Sequence, residues 1–123
     1  MSEKKTILII DDDSEIIETL QTILTSNGYE VLTARDGDQG LETAEEKQPN
    51  LVILDMMMPK RSGFLVLEHL RKKDKTKPSI IMITANEGSR HRVFADMLGV
   101  DAYIRKPFAI DKLTAQVAKL LEP

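Results

Sequence analysis

The chain alternates short, continuous apolar runs with longer segments in which apolar residues recur every three or four positions. Short β-branched runs are typical of strands buried on both faces, whereas a 3.6-residue period is typical of helices that pack one face on a core. The runs predict strands over 7–10, 29–34, 51–54, 79–83 and 101–105. The periodic segments predict a helix after each strand; the first ends at Asn27-Gly28 and the fourth covers about Glu87 to Leu98.

Five successive strand–helix units indicate an α/β fold, a parallel sheet covered by helices on both faces with right-handed crossovers. The expected strand order is 2-1-3-4-5, as in flavodoxin-like folds. With 123 residues and no linker or repeat, the chain is predicted to form a single domain over residues 1–123. Functional sites in this topology lie at the carboxyl ends of the strands, beside the switch point between the first and third strands. The polar residues that end the strands are therefore the functional candidates.

Composition narrows the classes of function. The net charge of −3 and the pI near 5.4 argue against a general nucleic-acid binder, so no direct nucleic-acid binding is expected. Without cysteine, a disulfide, a thiolate zinc site and a cysteine nucleophile are all excluded. The start of the chain does not resemble a signal peptide, and no apolar run approaches the ~20 residues of a membrane span. A cytoplasmic protein without membrane contact is predicted.

The ends of four predicted strands supply complementary polar groups. The first strand ends in Asp11-Asp12-Asp13, the third in Asp55, the fourth in Thr84 and the fifth in Lys106. Because the first and third strands are neighbours in the expected order, Asp11, Asp12 and Asp55 should converge. Carboxylates at this distance repel one another unless a cation is present. A hard divalent cation such as Mg²⁺ or Mn²⁺, which prefers oxygen ligands, would relieve that repulsion together with Lys106.

Simpler explanations exist for single members of this set. Asp13 and Ser14 are better explained as helix caps, and Lys106 alone could be an ordinary surface lysine. Asp55 follows four apolar residues and is not explained in this way. A carboxylate there could attack phosphorus to give an acyl phosphate, with Lys106 and the Thr84 hydroxyl contacting further phosphoryl oxygens. No nucleotide-binding glycine motif is present.

At this point the sequence resembles a known family, the receiver domain of two-component response regulators. The segments that carry the resemblance are ILIIDDDSEI, LVILDMMMP with Gly63 following, IIMITA and YIRKPF, in this order and spacing across nearly the whole chain. The resemblance implies a phosphorylation-dependent switch. Asp55 would accept a phosphoryl group from a phosphohistidine of a sensor histidine kinase or a histidine phosphotransfer protein. The face formed by the fourth helix, fifth strand and fifth helix would then change its preference for a downstream effector or an attached output domain.

The resemblance also implies a role for individual residues. Asp12, Asp55 and the backbone carbonyl of Met57 are expected to bind the metal directly, with Asp11 nearby or acting through water. Thr84 and Lys106 are expected to sense the phosphoryl group, and Tyr103 to be the switch aromatic, although a half-buried strand aromatic is the competing interpretation. The Lys106–Pro107 bond is expected to be cis. The domain is expected to be a monomer or a dimer promoted by phosphorylation.

Several positions near the site carry finer predictions. Met57 and Asn86 stand two residues after Asp55 and Thr84, and a thioether cannot orient an attacking water whereas an amide can. We therefore expect moderate to slow autodephosphorylation. Met56 and Met58 are interpreted as packing or rim residues. Phe94, Met97 and Leu98 are predicted to be mostly core residues, while His69 and His91 are predicted to be surface residues.

Three competing functions are less well supported. A haloacid-dehalogenase-type phosphatase also uses a strand-end aspartate with Mg²⁺, but it needs a second acid two residues later, where this chain has Met57. A pseudo-receiver that only binds proteins does not explain the complete set of Asp12, Asp55, Thr84 and Lys106. A calcium loop that begins at Asp11 would place Ile16 where the turn glycine belongs.

Overall fold

The computed structural model describes residues 4–58, 62–85 and 89–122. The strands are β1 (Thr6–Ile10), β2 (Glu30–Ala34), β3 (Leu51–Asp55), β4 (Ser79–Thr84) and β5 (Ala102–Arg105). The helices are α1 (Ser14–Ser26), α2 (Gly37–Lys47), α3 (Gly63–Lys73), α4 (Ser89–Leu98) and α5 (Ile110–Leu120). Each predicted element is present, and the strand ends differ from the predicted ones by no more than one residue.

The five strands form one parallel sheet in the order β2-β1-β3-β4-β5, which confirms the predicted fold class and strand order. Every residue of β3 is buried, as its unbroken apolar sequence predicts for a central strand. In register, Ile10 lies beside Leu54, and Asp55 lies beside Ile83 of β4. The end of β3 is therefore flanked by the last residues of β1 and β4.

Two apolar cores cover the two faces of the sheet. One includes Leu8, Leu54 and Met82 with residues of α2, α3 and α4, and the other includes Ile9, Ile53 and residues of α1 and α5. The central strands contribute residues to both cores, because alternate side chains of a strand point to opposite faces of the sheet. The strand ends are thereby held in fixed positions at the carboxyl edge.

The first helix begins and ends as its sequence indicates. The Asp13 side chain accepts a hydrogen bond from the backbone N–H of Glu15 at 2.9 Å, which confirms Asp13 as the cap. The helix ends at Asn27, and Gly28 follows with a φ of +97°, a conformation that favours glycine. Asp13 thus has a structural explanation that does not involve the functional site.

Arg71 is the first residue of the basic run Arg71-Lys72-Lys73 that ends α3, where positive charge suits the helix dipole. Its side chain is buried, and it donates to the Gly99 carbonyl at 2.8 Å and to Asp101 Oδ2 at 3.0 Å. Asp101 Oδ2 also accepts from the Ile80 backbone N–H at 2.7 Å. Arg71 therefore ties α3 to the segment between α4 and β5 and, through Asp101, to β4.

The core prediction for the fourth helix is wrong for Met97, which is 78% exposed. Leu98 is half-buried and packs against the core, and the side chain of Phe94 lies outside the described part of the structure. His69 is exposed, as predicted, and its Nε2 lies 2.9 Å from the Glu45 carboxylate of α2. That neighbour comes from another helix and was not expected from local spacing.

Within the described residues, none of the helices has the length and apolar content required to span a membrane.

Candidate functional site

The carboxyl edge of the sheet brings together the acidic residues that the sequence predicts to converge. Asp11 and Asp12 directly follow β1, and Asp55 is the last residue of β3. One carboxylate oxygen from each of the three lies within 4.8 Å of the others. Asp11 and Asp55 are buried, whereas Asp12 is exposed. The cluster therefore has a buried floor and one carboxylate on the solvent side.

Asp55, at the end of the central strand, is buried, with 3% of its surface exposed. Its Oδ1 accepts a hydrogen bond from the Met57 backbone N–H at 3.3 Å. Burial and, secondarily, the Asp11 carboxylate raise the pKa of Asp55 from 3.8 to about 7, against the opposing effect of Lys106. At neutral pH the Asp55 carboxyl therefore sits close to its midpoint of ionisation, and added positive charge would favour its ionised form.

Gly63, which belongs to the segments that carry the sequence resemblance but had no predicted role, is a structural part of the site. It is the first residue of α3, and its N–H donates to the Met56 carbonyl at 2.9 Å. A Cβ on Gly63 would lie 2.2 Å from the Asp55 carbonyl oxygen and 2.8 Å from the Met56 Cα. Only glycine allows α3 to approach the backbone of the Asp55 segment this closely.

Lys106 reaches the acidic cluster from the end of β5. Its Nζ lies 3.1 Å from Asp11 Oδ2 and 3.7 Å from Asp55 Oδ1. The other oxygen of Asp11, Oδ1, accepts from the Asp13 backbone N–H at 2.9 Å. Lys106 is therefore close enough to both buried carboxylates to offset part of their negative charge.

The residues present fit a hard divalent cation. Three carboxylates and one ammonium leave the cluster with a formal charge of −2 when all are ionised. Asp11 Oδ2 is buried and makes no well-aligned hydrogen bond with any described residue, although it faces the lysine. Oxygen ligands with excess negative charge and an incompletely satisfied buried oxygen are the donor set that Mg²⁺ and similar ions prefer.

Thr84 and the Lys106–Pro107 peptide bond lie on the β4–β5 side of the site. Thr84 is the last residue of β4 and is fully buried, and its carbonyl accepts from the Lys106 N–H at 2.7 Å. The Lys106–Pro107 peptide bond is cis, as predicted from the resemblance. A second cis bond, Lys77–Pro78, was not predicted and lies away from this edge, at the start of β4.

Tyr103 packs against the core on the α4 side of the sheet. The ring is half-buried, and its hydroxyl faces the sulfur of Met56 at 4.0 Å. The Arg92 guanidinium lies 5.5 Å from the ring centroid, within the range of a cation–π contact. Burial raises the pKa of the Tyr103 phenol, which Arg92 partly opposes. Tyr103 thus contacts the residue that follows Asp55, a connection that sequence spacing does not reveal.

The three consecutive methionines differ sharply in exposure. Met56 is fully buried and Met58 is half-buried, which confirms their interpretation as packing and rim residues. The Met57 side chain is 58% exposed beside the acidic cluster. Asn86, the other position predicted to influence dephosphorylation, lies outside the described residues.

Comparison with known families and proteins agrees with this geometry. The response regulator receiver domain family model matches residues 7–118. The probable transcriptional regulator ycf27 of Cyanophora paradoxa is 43% identical over 118 residues, covering 96% of this chain and 48% of that protein. The chain thus spans about half the length of the curated relatives it matches.

Solved structures give the same result for the fold. A CheY-like receiver domain from Methanospirillum hungatei is 34% identical, with a TM-score of 0.90 and coverage of 96% of this chain and 94% of that one. A chain of the CheX–CheY–beryllofluoride–Mg²⁺ complex from Borrelia burgdorferi is 27% identical, with a TM-score of 0.89 and coverage of 97% and 90%. The chain belongs to the response regulator receiver domain family and is a phosphorylation-dependent switch module of two-component signalling.

Proposed function

We propose that Asp55 is the phosphoacceptor of this receiver domain and that the donor is a phosphohistidine of a histidine kinase or a histidine phosphotransfer protein. The observation that carries the proposal is the position of Asp55, a buried carboxylate at the end of the central strand with Asp11, Asp12 and Lys106 around it. A buried carboxylate whose negative charge is partly offset by Lys106 can act as a nucleophile.

The transfer step uses the groups present at this edge. An Asp55 carboxylate oxygen forms a bond to phosphorus as the phosphorus–nitrogen bond of the donor histidine breaks, and the imidazole leaves with the bonding electron pair. Lys106, at 3.7 Å from Asp55 Oδ1, contacts a phosphoryl oxygen and stabilises the added charge. The Met57 N–H, which already donates to Asp55, adds a backbone donor.

We further propose that the site takes Mg²⁺ or Mn²⁺. Asp12, Asp55 and the Met57 carbonyl would hold the ion directly, with Asp11 nearby or acting through water. When bound, the ion would neutralise negative charge on the carboxylates and on the phosphoryl oxygens. The similar Borrelia burgdorferi CheY was solved in a complex that includes beryllofluoride and Mg²⁺, which supports the same chemistry here.

The signal is read on the β4–β5 side of the site. Thr84 and Lys106 are proposed to respond to the phosphoryl group, and Tyr103 to change its packing when Thr84 moves. The face formed by α4, β5 and α5 then changes its preference for a partner, to the extent that phosphorylation favours one conformation over the other. We also propose that the domain catalyses its own phosphorylation and dephosphorylation at Asp55.

The domain organisation, location and oligomeric state of the chain also belong to this proposal. Residues 1–123 are proposed to form a single receiver domain that acts alone or with an output domain. Curated relatives include a probable transcriptional regulator, so the predicted lack of direct nucleic-acid binding applies at most to this domain. The cytoplasmic location and the choice between a monomer and a phosphorylation-promoted dimer are untested predictions as well.

An Asp55→Asn variant tests the proposal. Acetyl phosphate with Mg²⁺ should phosphorylate the wild-type chain, seen by intact mass, and beryllofluoride with Mg²⁺ should shift NMR signals of α4, β5 and α5. Both responses should be lost in Asp55→Asn. The matched control is Asp13→Asn, because Asp13 is an aspartate of the same edge whose side chain caps α1 and asparagine also caps helices. Phosphorylation of Asp55→Asn would reject the assignment.

A further inference from the structure

Exposure to solvent separates the methionines into two groups. Met56 and Met82 are fully buried and Met58 is half-buried, whereas Met57 is 58% exposed and Met97 is 78% exposed. Oxidation of a thioether by a hydroperoxide requires the oxidant to reach the sulfur, so it follows exposure. Among the methionines whose side chains are described, Met57 and Met97 are the accessible ones, and they lie in different parts of the molecule.

Met57 differs from Met97 in its relation to Asp55. The backbone N–H of Met57 donates to Asp55 Oδ1 at 3.3 Å, so its α-carbon is fixed beside the phosphoacceptor. Asp55 itself is nearly inaccessible, with 3% of its surface exposed. Water that hydrolyses an aspartyl phosphate must approach from the solvent side of this edge, where the exposed Met57 side chain lies. Met97 lies on α4.

We propose that Met57 is a site of reversible oxidation by hydroperoxides and that its sulfoxide shortens the lifetime of the Asp55 phosphate. The inference rests on the proposed function of Asp55. In the step, the thioether sulfur attacks one peroxide oxygen, the O–O bond breaks, and sulfur is oxidised to the sulfoxide while hydrogen peroxide is reduced to water. No other reactant is needed.

The expected direction follows from the hydrogen-bonding capacity of the two forms. A thioether is a weak acceptor and excludes water from the space it covers, whereas a sulfoxide oxygen is a polar acceptor that can orient a water molecule. Orientation of water for attack on phosphorus by one additional ordinary hydrogen bond corresponds to about a two- to tenfold faster loss of phosphate. Oxidation would thus turn a shielding side chain into one that assists hydrolysis.

The test uses the complete 123-residue chain treated with hydrogen peroxide. Peptide mass spectrometry measures oxidation at each methionine, and the decay of the phosphorylated chain is followed after removal of acetyl phosphate. Oxidised wild type should lose phosphate about two- to tenfold faster than untreated wild type. Met97→Leu, which removes the other exposed sulfur, should show the same acceleration, whereas Met57→Leu should show none. Treatment with methionine sulfoxide reductases should restore the original decay rate.

Three results would overturn the inference. They are an unchanged or slower decay when Met57 is oxidised, an equal acceleration in Met57→Leu, and protection of Met57 under conditions that oxidise Met97. Failure of the proposed function is distinguishable from these, because a chain that lacks a phosphoacceptor would not be phosphorylated before any peroxide is added.

Discussion

At the scale of single residues, Gly63 sets how closely α3 can approach the backbone of Asp55 and Met56. A Gly63→Ala change would place a methyl group 2.2 Å from the Asp55 carbonyl oxygen, a contact that can be relieved only by moving backbone. We expect the free energy of unfolding to fall by ~1–3 kcal/mol, as for other overpacked sites. We also expect slower phosphorylation by acetyl phosphate, because displacement of the Asp55 segment disturbs the spacing of the site.

Gly40→Ala is the matched control for this prediction. Gly40 is also a buried residue of a helix, and a Cβ there would lie 2.6 Å from Ile10 Cδ1, the flexible end of a side chain. Urea denaturation should show destabilisation in both variants, but only Gly63→Ala should lose phosphorylation rate per folded molecule. Equal rates in the two variants would mean that Gly63 has a packing role alone.

The residues of the site differ in how far sequence could foresee them. Three of them, Asp11, Asp55 and Thr84, directly follow apolar runs, and Lys106 directly follows the predicted fifth strand. The parallel topology alone therefore places all four at one edge of the sheet. Gly63 contacts Asp55 through the path of a loop, and loop paths do not follow from hydrophobic periodicity. For that reason the strand pattern predicted the convergence of Asp55 with its neighbours, whereas Gly63 entered only through the family resemblance and its contact with the Asp55 backbone was not predicted.

At the scale of elements, the end of β3 and the middle of β5 are joined by the contact between Met56 and Tyr103. The Tyr103 hydroxyl faces the buried sulfur of Met56 at 4.0 Å, and Met56 directly follows Asp55. A Met56→Leu change keeps the apolar volume and removes the sulfur. We expect the Tyr103 ring to become more mobile and more exposed, with a net cost below ~1.5 kcal/mol because the swap is nearly isosteric.

Ring NMR signals provide a direct measurement, because the chain has two tyrosines and no tryptophan. A Tyr29→Phe variant assigns the signals of Tyr103. Met82→Leu is the control, since Met82 is an equally buried methionine beside Tyr103 in the β4–β5 register. If Met56→Leu and Met82→Leu shift the Tyr103 signals equally, the effect is general repacking and the specific contact is not supported.

Two residues of the helices have surroundings that the local sequence pattern does not reveal. Arg71 lies in a basic run at the end of α3, a pattern typical of a solvated helix end, yet its partners Gly99 and Asp101 are about thirty positions away. Met97 lies at apolar helical spacing but faces solvent. Local periodicity gives the type of each element, whereas the pairing of buried charges and the orientation of a weakly amphipathic helix depend on tertiary contacts.

At the scale of the whole molecule, the acidic cluster makes stability depend on pH. The pKa of Asp55 is raised in the folded state, to about 7 from 3.8. Between these values the folded chain holds more protons than the unfolded chain, so its stability falls as pH rises from about 4 to about 7 and is constant above that. Ionised Asp55 in its buried site is therefore a cost to folding when no divalent cation is bound.

Removal of the Asp55 charge by mutation should restore the stability that ionisation of Asp55 takes away. In EDTA at pH 8, Asp55→Asn should raise the free energy of unfolding by ~1–3 kcal/mol, and the gain should shrink toward zero near pH 4, where wild-type Asp55 is protonated in the folded state. Asp13→Asn, in which an exposed cap is changed, should show no such gain. Urea denaturation at several pH values measures the difference.

Added Mg²⁺ should reduce the stability difference between Asp55→Asn and the wild type. If the folded wild-type cluster binds Mg²⁺ as proposed, the ion stabilises it by mass action, so the advantage of Asp55→Asn at pH 8 should decrease as Mg²⁺ is added. At pH 5 the ion must compete with the proton on Asp55, and its stabilising effect on the wild type should be smaller. A gain in Asp55→Asn that is independent of both pH and Mg²⁺ would show that the cost at Asp55 arises from packing rather than from charge.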